Sequence, residues 1–291
     1  MNNILNTIKF ISNHPLNSFG LFSAIYKFFS WQILKRLFDY PKNVYIFNSV
    51  KFKAELGVIN SSGIYYVSLM EFDEMMFLIS YTKSSDVLCD IGANIGTYSI
   101  TLGLLTKCKV FAFEPDEVNF NRLKNNVELN DLDNIIIKKI ACSDKVGKIG
   151  FSQDKSAISH IKLSNKKNLV DTTTIDYFFD YQNSLNYPTI IKIDCEGFES
   201  LIVKGMLGVL NSKNKPNVIL IELRGHGLKY GYDELEIYNS LIKLGYKSYG
   251  FDGTKLILYE IKKYEERDFI FINDYDYVID RLNQYKLNPI I

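Results

Sequence analysis

Four cysteines in 291 residues, with no C-x-x-C among them, make neither a zinc nor an iron–sulfur pattern. Cys89, Cys108, Cys142 and Cys195 are also too few for a secreted disulfide scaffold, and the N-terminus lacks the charged, apolar, small-residue order of a secretory leader. A reducing, cytoplasmic setting is the expectation. No uncharged apolar run reaches the about twenty residues of a membrane span; the most apolar early one, 19–34, is interrupted by Lys27. Charge of one sign is missing too. The 34 Lys and Arg against 33 Asp and Glu leave +1, with the basic residues scattered. A nucleic-acid binder takes most of its affinity from a basic stripe, so that partner class is not expected. A composition of 47% hydrophobic and 23% charged residues excludes a disordered chain, and the length suits one large domain with an extension.

The first forty residues read as helical and are punctuated by Pro15 and Pro41. Leu21, Ile25, Phe28, Phe29 and Leu34 recur at helical spacing, flanked by Lys27, Lys35 and Arg36. Such a face packs on the main domain, on a second copy of the chain as a homodimer, or on the inner face of a membrane. Strand-like runs follow at 44–47, 50–54 and, after the turn-forming Asn60-Ser-Ser-Gly63, at 64–67. Residues 1–70 therefore read as a helical and β-hairpin extension, and 71–291 as the main domain, entered through a helix led by Glu71 and Glu74.

From Ser85 onward, short apolar runs alternate with helical stretches: strands at 87–90, 110–113, 135–140, 190–194 and 218–222, helices at 95–105, 116–129, 199–210 and 235–244, and tail strands at 246–251 and 269–272. This alternation predicts βαβ units, a parallel sheet buried on both faces and a doubly wound α/β architecture. Such sheets bind ligands beyond the carboxyl ends of their strands. The strand tips are therefore the residues to read.

The first tip is Asp90-Ile-Gly92-Ala93-Asn94-Ile-Gly96-Thr97. Gly92 and Gly96 permit a tight strand-to-helix turn with close backbone approach to a ligand, and Asp90 suits a cationic or hydroxyl-bearing group better than a bare phosphate. The G-x-G-x-x-G phosphate cradle is not met, because Asn94 and Thr97 occupy its second and third glycine positions. Glu114 ends the second strand, about twenty residues on, where doubly wound folds place a carboxylate for the ribose hydroxyls. Pro115 and Asp116 read as the start and cap of the next helix. The third tip, Ala141-Cys142-Ser143-Asp144, suits the border of an adenine ring or ordinary turn chemistry.

At the fourth tip, Lys192-Ile-Asp194-Cys195-Glu196-Gly197, residues 192, 194 and 196 would share one face of a continuing strand. Three ionisable groups there are costly unless they pair or meet a ligand, so they read as candidate acid–base groups. The plainer arrangement pairs Lys192 with Asp194 and leaves Glu196 as a helix cap. The fifth tip places Glu222 before Arg224-Gly225-His226, and His226 alone of three histidines sits just past a core strand.

Taken together, Asp90-x-Gly-Ala-Asn-x-Gly, Glu114-Pro-Asp, Ala-x-Ser-Asp144, Thr173-Thr-Ile-Asp176 and Ile-Lys192-Ile-Asp-x-Glu-Gly-x-Glu199 resemble the FkbM family of S-adenosylmethionine-dependent methyltransferases, over residues 71–222. The resemblance implies a Rossmann-like, mainly parallel seven-stranded sheet with a reversed final hairpin. It implies S-adenosylmethionine as cofactor, with Asp90, Gly92, Asn94 and Gly96 shaping the methionine pocket, Glu114 at the ribose and Asp144 at the adenine. Glu71, Ala93, Thr97, Pro115, Cys142, Ser143 and Asp194 complete that implied set. It further implies O-methyl transfer to a sugar hydroxyl of a surface polysaccharide, glycolipid or nucleotide-linked precursor.

A sugar hydroxyl is a poor nucleophile while protonated, so a base must take its proton as the C–O bond forms. Asp194, Glu196, Glu222 and His226 are available beside Lys192, and Asp194 ranks first. A divalent metal held by Asp194, Glu222 and His226 is the weaker alternative, since no second acid follows Glu222. The long polar segment 152–168 is expected to cover the acceptor. Among the rivals, a nicotinamide-dependent oxidoreductase would need the missing glycines, and Tyr259-x-x-x-Lys263 has no partner serine in view. A base-modifying amino methyltransferase would carry Asp/Asn-Pro-Pro-aromatic where Asp194-Cys-Glu-Gly stands. A catalytically silent scaffold would have no use for carboxylates at four strand tips.

Overall fold

The computed structural model describes residues 2–17, 20–37, 42–55, 59–152, 160–161, 169–181, 187–262, 264 and 267–285. Helices α1 (Asn2–Asn13) and α2 (Gly20–Leu37) precede a hairpin of β1 (Lys42–Ile46) and β2 (Val50–Ala54), then α3 (Ile59–Val67) and α4 (Phe72–Tyr81). The expected alternation follows as β3 (Val87–Ile91), α5 (Thr97–Thr106), β4 (Lys109–Phe113), α6 (Glu117–Leu129) and β5 (Ile135–Lys138). An inserted group comprises β6 (Ala141–Cys142), β7 (Gly147–Ser152), β8 (His160–Ile161), β9 (Leu169–Thr173) and α7 (Ile175–Tyr181). The chain returns through β10 (Ile190–Ile193), α8 (Glu199–Lys204), α9 (Leu207–Asn211), β11 (Val218–Glu222) and a short 3₁₀ turn (His226–Tyr230). It closes with α10 (Leu235–Lys243), β12 (Lys247–Phe251), β13 (Leu256–Leu258), β14 (Asp268–Ile272) and α11 (Tyr275–Gln284).

The main sheet runs β13-β12-β14-β11-β10-β3-β4-β5. Strands β5, β4, β3, β10 and β11 are parallel, and β14 is antiparallel to both β11 and β12. This is the expected doubly wound sheet with its reversed final hairpin. It has eight strands rather than seven, because the three-residue β13 adds an edge. The order switches between β3 and β10, so their carboxyl ends open a crevice.

Period-2 alternation along the buried strands divides the core in two. Leu88, Val110, Ile190, Leu220 and Ile270 face a cluster containing α4 residues Met75 and Leu78. Cys89, Phe111, Ile191, Ile219 and Phe271 face the other, with Phe179, Leu201 and Leu241. The first cluster also takes in Ile11, Trp31, Ile46 and Phe52, so the N-terminal elements pack on the α4 face.

Two expected elements differ. The run 64–67, read as a strand after a turn at 60–63, lies with that turn inside helix α3. Its β-forming residues are overridden by packing on α2, where Trp31 stacks on Tyr65 at 4.7 Å and donates from Nε1 to Ser62 Oγ at 3.1 Å. The single helix expected over 199–210 is broken at Gly205–Met206. A Cβ on Gly205 would lie 1.9 Å from the Ser143 carbonyl oxygen, and the Gly205 carbonyl accepts the Asp176 N–H at 3.0 Å. Asp176 in turn accepts from the N–H groups of Gly208 and Val209 at 2.8 and 2.7 Å, which starts α9 afresh. The 152–168 cover falls almost wholly outside the described residues, as does Lys263.

Candidate active site

The first strand tip is built by backbone. The Gly92 and Ala93 N–H groups both donate to the Phe113 carbonyl at 3.0 Å, which draws the turn against the end of β4. Gly92 has φ +80, and a Cβ there would meet the Asp194 carbonyl oxygen at 1.9 Å. Only glycine lets the β3 and β10 tips approach this closely.

Asp90 is fully buried; its Oδ2 accepts from the Ser99 N–H at 3.1 Å and the Ser99 hydroxyl at 2.5 Å. Its Oδ1 has no hydrogen-bond partner and lies 3.9 Å from Lys192 Nζ. Asp90 thus ties the α5 N-terminus to the sheet, and Thr97 opens that helix.

Glu114 reaches across this turn. Oε2 accepts the Asn94 N–H at 2.8 Å and Oε1 the Asp116 N–H at 2.8 Å. Asp116 caps α6 through the Asn119 N–H at 2.8 Å, as expected. Burial raises the Glu114 carboxyl to about 7 despite those two donors.

A cavity at the switch point is lined by Gly92, Ala93, Asn94, Thr97, Glu71, Lys192 and Asp194, together with Tyr98 and Met70. Seven of the residues anticipated from sequence therefore converge on one space. Lys192 Nζ donates to Asp194 Oδ2 at 3.1 Å and sits 5.1 Å from the Tyr98 ring centroid. The two neighbouring aspartates hold this ammonium above its ordinary range against the opposing effect of burial. Asp194, burial notwithstanding, is lowered by the Lys192 charge. Glu71 is raised by burial and by the Asp194 charge.

A second group stands beside the first. Glu222 is buried and raised to about 9 by burial and the Asp194 charge, and it forms a side-chain hydrogen bond with Asp194. At neutral pH it carries the proton of that bond. Arg224 pairs with Glu222 at 2.9 Å and Asp268 at 3.3 Å. His226 Nδ1 lies 3.0 Å from Glu196 Oε2 and 3.8 Å from Glu222 Oε2, while the imidazole as a whole is 39% exposed. Glu196, Glu222 and His226 each place one ligand atom within 4.8 Å of the others, so Glu196 takes the place expected for Asp194 in a metal-capable trio.

Glu196 also departs from the shared strand face anticipated for 192, 194 and 196. Strand β10 ends at Ile193, and Glu196 at φ +54 and Gly197 at φ +107 turn the chain toward His226. The Cys195 N–H is accepted by the buried Glu199 at 2.8 Å, a partner the sequence reading passed over.

The ordered strand tips, one cavity at the switch point and the reversed terminal hairpin agree with a match to the Methyltransferase FkbM domain over residues 90–250. The chain belongs to the FkbM methyltransferase family. Over 145 residues this FkbM protein is 31% identical to the hexuronic acid methyltransferase AglP of Haloferax volcanii, covering 50% of this chain and 59% of the relative. It is 26% identical over 127 residues to a tRNA (guanine(37)-N(1))-methyltransferase of Dictyostelium discoideum, covering 40% and 26% of the two chains. The chain thus spans less than two thirds of the length of either curated relative. A solved precorrin-6y C5,15-methyltransferase of Geobacter metallireducens aligns at TM-score 0.40 and 13% identity, covering 70% of this chain and 88% of that one.

The third tip of this FkbM chain is held apart from the cavity's lining. Cys142 is buried and pairs in the β6–β9 ladder, and the Ser143 N–H donates to the Thr173 carbonyl at 2.9 Å. Ser143 Oγ donates to Asp144 Oδ1 at 3.2 Å. Asp268 and Tyr98 were not anticipated from sequence, and Arg224 was noted at the fifth tip without a role. Asp268 stands opposite Glu222 in the β11–β14 register, a pairing that no short-range spacing reveals.

Proposed function

We propose that this protein transfers the methyl group of S-adenosylmethionine to a hydroxyl of a sugar acid or a related glycan. The observation that carries the reading is the pairing of a glycine-lined, carboxylate-ended cavity with the His226–Glu196 contact past the adjacent strand tip. The residues suit the cofactor: Gly92, Ala93, Asn94 and Thr97 line the cavity beside the Glu71 carboxylate, Asp90 keeps a buried oxygen with no hydrogen-bond partner, and Glu114 retains lone pairs for hydroxyl donors. Glu114 would hold the ribose, while Asn94, Thr97 and Glu71 would border the methionine part. When bound, the sulfonium supplies an already activated methyl group, so the protein's tasks are alignment, exclusion of water and removal of one proton.

That proton goes to His226. Asp194, ranked first from sequence, has its proton affinity lowered by Lys192, and Glu222 is already protonated at neutral pH. His226 has its Nδ1 sealed beside Glu196, and the exposed part of the ring faces outward as base. Glu196 then stabilises the imidazolium that forms. Asp194 and Lys192 become a structural pair between cavity and base.

The named hexuronic acid relative supports a sugar acceptor. A hexuronic acid has two kinds of acceptor oxygen. A carboxylate needs no base, whereas a hydroxyl does, and the His226–Glu196 contact favours the hydroxyl. Incubation with methyl-labelled cofactor and uronic acid glycosides tests this: the product should be an alkali-stable ether. An alkali-labile ester, or label in neither form, would contradict it.

Cofactor affinity should follow the Glu114 titration. The ionised carboxylate accepts the ribose hydroxyls, and burial holds its pKa at about 7. Affinity is therefore fully present above that value and falls as pH drops through it. S-Adenosylhomocysteine should bind about tenfold more weakly at pH 6 than at pH 8, measured by calorimetry. Equal affinity at both would remove Glu114 from the site.

A further inference from the structure

The N-terminal helices carry a surface that the catalytic reading leaves unused. On α2, Phe22, Tyr26, Phe29, Ile33 and Leu37 follow one another at intervals of four and three residues, which places them along a single helical face. All five are exposed, Phe22 by 87% and Tyr26 by 73%. The opposite face, with Ala24, Phe28 and Trp31, is the one packed into the core. Leu5 and Phe10 of α1 add further exposed apolar area.

The charge of this segment differs from that of the rest. Residues 1–54 hold seven Lys and Arg and one acid, Asp39, a net of +6; the remaining residues hold 27 against 32, a net of −5. Residues 1–37, which contain both helices, have four basic residues and no acid at all.

We infer that the α1–α2 hairpin docks this protein on an anionic lipid bilayer. Exposed Phe and Tyr beside a surplus of Lys and Arg match an interface in which rings enter the acyl boundary and cations meet lipid phosphates. A second copy of the chain is the other occupant such a stripe could take. It would set two acid-free, positively charged hairpins against each other, with no carboxylate in either helix to pair across the seam. No described helix is long and apolar enough to cross a membrane, so the contact is with the surface.

Docking there has a geometric consequence. The cavity reaching Glu71 and Met70 shares those residues with the one lined by His14, Pro15 and Arg224, which in turn shares His14 and Pro15 with a groove along Lys9 and Phe10 of α1. The outer end of this series lies on the docking helices themselves.

The test is flotation of the full chain with phosphatidylcholine vesicles, with and without about one third phosphatidylglycerol. The wild-type protein should float with the anionic vesicles only, and about 0.5 M salt should release it. Phe22→Glu/Phe29→Glu should reduce the floated fraction at least about tenfold, with circular dichroism and S-adenosylhomocysteine affinity unchanged. Failure of the wild-type protein to float with anionic vesicles, a measurement needing no variant, would overturn the inference. So would equal binding to neutral vesicles, or a wild-type dimer in sedimentation that the double variant converts to monomer, which would assign the stripe to a second copy.

Discussion

Replacing His226 by alanine should lower turnover by about 10²- to 10⁴-fold, the range by which a positioned general base accelerates proton transfer. Affinity for S-adenosylhomocysteine should stay within about twofold, because the imidazole stands past the β11 tip and outside the cavity's lining. Glu196→Gln removes the carboxylate 3.0 Å from Nδ1 but keeps its shape. It should lower kcat less than the alanine change, because the imidazole stays in place and loses only the carboxylate beside it. Full turnover in His226→Ala would return the base role to Asp194 or show that the acceptor oxygen is a carboxylate.

Glu114→Ala should weaken cofactor binding by about 3 kcal/mol, on the order of a hundredfold, through loss of two charge-assisted hydrogen bonds to the ribose. A second contribution comes from the apo protein, where the carboxylate accepts the Asn94 and Asp116 N–H groups. Both lose their partner in the alanine variant, and the Gly92–Asn94 turn is left with only the Phe113 carbonyl as its anchor to β4. Glu114→Gln keeps the carbonyl acceptor for one of those donors, so it should recover part of the turn's order while still binding weakly. Calorimetry with S-adenosylhomocysteine reads both variants. Unchanged affinity in Glu114→Ala would place the ribose elsewhere.

The main sheet was legible because its central strands are buried on both faces and read as short apolar runs, from Val87–Ile91 to Val218–Glu222. Edge strand β13 escaped notice because three residues leave no pattern. Helix α3 was misread because Ile64-Tyr-Tyr-Val67 favours a strand until Trp31 packs on it from another part of the chain. Within the site, glycines and acids at strand tips announce themselves, and Glu71, Gly92, Ala93, Asn94, Thr97 and Asp194 of the anticipated cofactor set line one cavity. The order of the bases was not legible. It depends on Lys192 lowering Asp194 and on a left-handed turn at Glu196–Gly197 that carries Glu196 to His226. Spacing along a strand extrapolates Glu196 to the wrong face because it assumes that the strand continues.

The most direct measurement is calorimetric titration of the wild-type protein with S-adenosylhomocysteine, run beside NAD and NADP on the same preparation at pH 8. Saturable binding of the homocysteine nucleoside alone, weakened at pH 6 and lost in Glu114→Ala, is the expected result. Binding of a dinucleotide in its place would contradict the methyl-transfer reading at its root, since the crevice between β3 and β10 would then serve a different donor.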